Sequence, residues 1–117
     1  MTDPLLHIAT AELWEQAQRD GWLRPESLRT QGFVHLSTPD QVHLPADRLY
    51  AGRTDLVLLV VDPALLTDEV RHEPGVPTDP ASMRFPHLYG PLPAGAVVAV
   101  LPWAPGPTGF APPELPD

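Results

Sequence analysis

The chain contains neither cysteine nor lysine. Without cysteine there is no thiolate nucleophile, no thiolate metal site and no disulfide. Without lysine there is no side-chain Schiff base. No run of about 18 apolar residues occurs, which excludes a membrane-spanning helix. The opening Met1-Thr2-Asp3-Pro4 lacks the basic flank and apolar stretch of a secretory signal, so a cytoplasmic location is expected. Positive charge is scarce: seven arginines stand against fifteen acidic residues, a net charge of −8. Affinity for duplex nucleic acid comes largely from neutralised phosphates, so such a partner is not expected, and neither is a membrane. The phosphate-binding, dinucleotide-binding, nucleophile-elbow and HExxH signatures are all missing. His7, His35, His43, His72 and His87 show no compact ligand spacing, and no metal is expected.

Apolar residues make up 43% of the 117 positions, enough to bury one compact core rather than leave a disordered chain. Residues 5–9 read as a strand. Thr10 then caps a helix that runs to Asp20 and stops at Gly21. A turn or short helix from Pro25 leads to Gly32 and a strand over 33–37. Thr38-Pro39-Asp40-Gln41 has the form of a helix start, with Pro45 breaking that helix and beginning a second short one that ends near Gly52. The almost wholly apolar stretch 55–62 predicts a central strand buried on both faces. An exposed strand over 69–73, a proline-bearing loop over 74–82 and strands over 85–89 and 96–103 complete the domain. The proline-rich residues 104–117 are expected to form an extended or disordered appendage, with a ligand for an aromatic groove on another protein as a rival reading.

Two segments carry the candidate chemistry: Gly32-Phe33-Val34-His35-Leu36-Ser37-Thr38 and Phe85-Pro86-His87-Leu88-Tyr89-Gly90. Residues two apart on a strand project from one face, so His35 would share a face with Ser37, and His87 with Tyr89. Imidazole and hydroxyl groups on apolar strands suit a pocket that grips a ribose or an amide. The alternative for His35 is a core histidine bonded to a backbone carbonyl, and for His87 and Tyr89 an ordinary core strand. His7 is a third histidine in an apolar strand. The N–H groups after Thr38 would offer an anion site beside His35, with Gln41 in a capping box. Glu73 fits a general base or a partner for a sugar hydroxyl, or a solvated carboxylate at a strand end. Arg84 offers a bidentate fork for phosphate, or lies on the surface.

Together with Trp14, Ser27-Leu28, Gln41-Val42, Asp55-Leu56-Val57-Leu58-Leu59 and Pro91-Leu92, these segments resemble the small bacterial proteins of domain of unknown function family 952. The resemblance covers roughly residues 5–103. It implies an α+β fold of the ADP-ribosyltransferase type, a split β-sheet with a few short helices and a central nucleotide cleft. In that wider superfamily a strand histidine holds the ribose of NAD, a hydroxyl follows it, a tyrosine packs on nicotinamide and a glutamate promotes attack at the anomeric carbon. His35, Ser37, Tyr89 and Glu73 are the matching positions, with His87 as acid or polariser. Gln31 departs from the glutamate usual in the family, and the set His7, His35, His87 is closer to the RNA 2′-phosphotransferase branch. The expected function is binding of NAD or a related nucleotide, with transfer or hydrolysis of ADP-ribose. The alternative is a non-catalytic nucleotide or metabolite sensor.

Overall fold

The computed structural model describes residues 4–43, 46, 50, 52–74, 84–103 and 109–110. It is an α+β fold of mostly antiparallel strands with few helices. In chain order the elements are β1 (Leu5–Thr10), α1 (Ala11–Asp20), β2 (Trp22–Leu23), α2 (Glu26–Thr30), β3 (Val34–His35), β4 (Leu56–Val61), β5 (Val70–Pro74), β6 (Arg84–Leu88), β7 (Leu92–Pro93) and β8 (Val97–Trp103). They build a sheet of order β1-β4-β8, a pair β2-β7 and a sheet of order β3-β6-β5. The expected short helix after Pro45 and most of the tail lie outside the described residues. So does the 74–82 loop apart from Pro74, which ends β5.

Strand β4 sits between β1 and β8, so both of its edges are hydrogen-bonded. Its side chains alternate between two cores, because successive residues of a strand point to opposite faces. Leu59 and Val61 join Leu5, Ala9, Ala17, Val34, Leu36 and Leu88 in the first core. Leu56, Leu58 and Val60 join Leu6, Ile8, Val42 and Phe110 in the second. Burial on both sides explains the unbroken apolar run.

Helix α1 starts and stops where the residues dictate. The Thr10 hydroxyl accepts the Leu13 N–H, and Gly21, at φ +86°, sends its N–H back to the Ala17 carbonyl. An L-residue with a side chain seldom adopts that φ, so glycine is the natural stop. The pair β2-β7 gave no sequence signal, since two residues per strand leave no periodicity to read.

Two expectations need correction. The strand over 33–37 is not continuous: Val34 and His35 pair with β6 and the Leu36 N–H still donates to the Pro86 carbonyl at 2.9 Å, whereas Ser37 exchanges both backbone hydrogen bonds with Leu6 on the edge of the other sheet, at 2.7 Å each. The chain crosses from one sheet to the other at Leu36, so no single ladder holds His35 and Ser37 on one face. The tail is not wholly an appendage either. Phe110 is 5% exposed and packs against Trp103 with ring centroids 4.6 Å apart, because the second core needs a cover on that side. Only Gly109 and Phe110 of the tail are described.

Candidate functional site

The sheet β3-β6-β5 has one face in the first core, where Val34, Val70 and Leu88 lie. Register places the alternate residues on the opposite face: His35 beside His87, His87 beside Arg71, and Phe85 beside Glu73. Tyr89, one residue past β6, continues the pairing through its N–H to the Glu69 carbonyl at 2.9 Å. His87 and Tyr89 therefore do share a face, as their spacing predicted. Both reach the same atom. The Tyr89 hydroxyl donates to Glu73 Oε1 at 2.5 Å and His87 Nδ1–H donates to it at 3.2 Å.

Phe33 completes a cluster of four rings. It stacks on His87 at 4.0 Å with an interplanar angle of 10°, meets the edge of His35 at 4.8 Å and lies 5.4 Å from Tyr89. His35 and His87 stand edge to face at 5.1 Å. Local sequence sets this up. At the end of α2, Gly32 at φ +89° sends its N–H to the Ser27 and Leu28 carbonyls, while the Ser27 hydroxyl donates to the Phe33 carbonyl at 2.8 Å. From the same turn Gln31 Oε1 accepts His35 Nε2–H at 2.7 Å. Gly90 closes the second segment, where a Cβ would overlap the Asp68 carboxylate.

The charges follow from these contacts. The Tyr89 hydrogen bond, aided by that from His87, holds the Glu73 carboxyl below the usual carboxylate range although partial desolvation opposes it. Glu73 is thus ionised, with a side chain 37% exposed. Burial pushes His87 down, against the pull of Glu73. A neutral ring whose Nδ1–H faces a carboxylate carries a bare lone pair on Nε2, and that atom is buried without a partner among the described residues. Leaving such an acceptor unpaired costs about 1–3 kcal/mol, a cost that His7 Nε2 and His43 Nδ1 share among the described residues.

The other candidates are placed differently. His7 is buried and braces β3 from β1, its Nδ1–H donating to the His35 carbonyl at 2.6 Å; burial pushes its pKa down. It stands outside the ring cluster. Ser37 is buried in its bridge to Leu6. Of the donors expected beside His35, Pro39 has no N–H and the Gln41 N–H goes to the Thr38 carbonyl, which also takes the Val42 N–H as an N-cap does. The Thr38 hydroxyl instead faces Asp40 and Gln41, and Gln41 Nε2 donates to the Arg84 carbonyl at 3.1 Å. Arg84 stands at the exposed start of β6. Among the described residues no group of three His, Asp or Glu side chains converges as a metal site. Sequence reading left three participants without a role: Phe33, Gln31 and Arg71, whose guanidinium lies 4.6 Å above the Tyr89 ring. For Phe33 the signal was available, since it precedes His35 by two.

The histidines predict an acid-sensitive fold. The unfolded chain takes up protons on His7 and His87 at the ordinary pKa of 6.5, whereas the folded chain takes them up only at lower pH. In that window the unfolded state binds more protons, so stability is complete above 6.5 and falls as pH falls. Glu73, also lowered, adds a loss in the same direction below 4.5. The urea midpoint should decline between about pH 7.5 and about pH 5; a midpoint constant over that range contradicts the assignment.

Comparison with known proteins places the chain in a family without adding an activity. No curated protein matches it. The crystal structure of protein CC0527 from Caulobacter crescentus matches with a TM-score of 0.77 and 26% identity, over 92% of this chain and 91% of that one. The solution structure of the same protein gives 0.74 and 27% over 92% and 90%. A family model described as protein of unknown function (DUF952) matches residues 8–100. With most of its length matched in this way, from β1 through β8, the chain belongs to the DUF952 family.

Proposed function

We propose that the face formed by Phe33, His35, Glu73, His87 and Tyr89 binds NAD or a related nucleotide and supports cleavage or transfer at its nicotinamide–ribose bond. The observation that carries this reading is Glu73: an ionised, partly exposed carboxylate, fixed at one oxygen by Tyr89 and His87 and set among aromatic rings. When the C–N glycosidic bond breaks, its electron pair leaves with nicotinamide and positive charge grows on the sugar carbon. A preorganised anion stabilises that charge most where solvent is partly excluded. Water or another hydroxyl then bonds to the carbon and gives up its proton.

His35 is assigned to ribose, and Tyr89 to holding Glu73 in place. His87 contributes as the neutral partner of Glu73 rather than as a proton donor, since its burial disfavours the imidazolium. The two sheets joined at the Ser37–Leu6 bridge support an ADP-ribosyltransferase-like relationship. Fold alone would leave the chemistry open.

Calorimetry with NAD and with ADP-ribose tests the binding. Wild type should bind both, and His35→Ala should weaken each by about tenfold or more, the worth of a hydrogen bond to a ligand hydroxyl. Failure of the wild type to bind either ligand ends this reading.

A further inference from the structure

We infer that the ring-binding end of the site selects a flat ligand carrying an N–H donor, an amide or amine, and rejects the same ring carrying a carboxylate, with His87 Nε2 as the selecting atom. The inference rests on the nucleotide reading only for the identity of the larger ligand; the selection itself comes from the geometry of His87.

His87 is 2% exposed and touches two rings of the cluster, Phe33 and His35. Its Nδ1–H is committed to Glu73 Oε1. That hydrogen bond fixes which nitrogen carries the proton, as a carboxylate can only accept. Nε2 then offers one lone pair and nothing to donate. Among the described residues no side chain or backbone group meets it. The groups around it cannot reverse this preference. Glu73 is anionic, and Tyr89 O–H is spent on Glu73. Gln31 accepts the Nε2–H of His35. The Arg71 guanidinium is paired with Glu69 at 3.0 Å and lies over Tyr89.

A carboxylate brought to Nε2 would set acceptor against acceptor, next to the Glu73 charge. An amide in the same place would donate to Nε2 and bring no charge. Sites that hydrogen-bond a ligand donor discriminate strongly, because the mismatched ligand leaves a buried polar group unpaired. Phe33 already lies parallel on one face of this imidazole, so a donor reaches Nε2 only in the plane of the ring. Nε2 is closed to solvent, so seating a ligand there requires a neighbouring ring to shift.

Nicotinamide and nicotinate share ring and size and differ in this one group, as do NAD and its deamidated form with a nicotinate ring. Because removing so buried an imidazole can unfold the chain, the test uses the intact protein labelled with 15N at histidine. Calorimetry should give the carboxylate member of each pair a Kd at least about tenfold weaker. Nicotinamide and NAD should move the His87 Nε2 resonance upfield, as an acceptor nitrogen moves when it gains a donor, and the carboxylates should leave it in place. Equal affinities within a pair overturn the inference, as does an unmoved Nε2 signal at saturating amide. If ADP-ribose fails to bind while nicotinamide still moves Nε2, the nucleotide reading falls and the selection at His87 stands.

Discussion

Leu58→Ala and Leu59→Ala should each destabilise the protein by about 2–5 kcal/mol, though the two residues are adjacent and point to opposite faces. Both are fully buried, Leu58 in the second core and Leu59 in the first. Each truncation removes several methyl and methylene groups and leaves a cavity that neighbours on a paired strand cannot easily fill. Domains are stable by only about 5–15 kcal/mol, so either change is a large fraction of the whole. The measurement is urea denaturation followed by far-UV circular dichroism. A strand with one wet face would give one costly and one near-neutral substitution, and that result would falsify the two-core architecture. Val98→Ala serves as the contrast: this residue of the edge strand β8 is 60% exposed, and its truncation should move the midpoint little.

Glu73→Gln should lower the rate of nicotinamide release by about 10²–10³-fold while leaving ADP-ribose affinity nearly unchanged. The substitution keeps the shape of the side chain and an oxygen able to accept from Tyr89. It removes the negative charge and turns the second oxygen into an N–H donor. If Glu73 acts by stabilising positive charge on the sugar carbon, the loss falls on the chemical step, since that charge is small in the bound ground state. Single-turnover release of nicotinamide by wild type and variant, with calorimetry alongside, separates rate from binding. Wild-type rates in the variant would remove Glu73 from the chemistry. Release by neither protein, with NAD bound and recovered intact, would favour a nucleotide sensor built on the same face.

The strands were readable because their apolar patterns are long or strongly biased. Residues 56–61 announced burial on two sides, and Thr10 and Gly21 bounded α1 through one hydroxyl and one positive φ. The candidate site was legible where spacing alone decides direction. His87 and Tyr89, two apart on one strand, meet at a single carboxylate oxygen. The same rule failed for His35 and Ser37, because it assumes an unbroken ladder and the chain changes sheets between them. Thr38 shows the same dependence on context: its carbonyl takes the Val42 N–H as an N-cap does, but also the Gln41 N–H, and Pro39 has no N–H to offer an anion.

By itself, the sequence determined the chemistry this protein excludes, the two-faced burial of β4 and the short list of polar groups available on apolar strands. These follow from composition and from the period of two, which are properties of neighbours along the chain. Only the tertiary structure decided that Glu73, fourteen residues before His87, is the group joining His87 to Tyr89. It also decided that Phe33 lies on His87, that His7 is a strut rather than part of the ring cluster, and that His87 Nε2 is buried with no partner among the described residues. Each is a contact between segments distant in sequence, fixed by strand register and by which face the core claims, and neither is written in the residues one at a time.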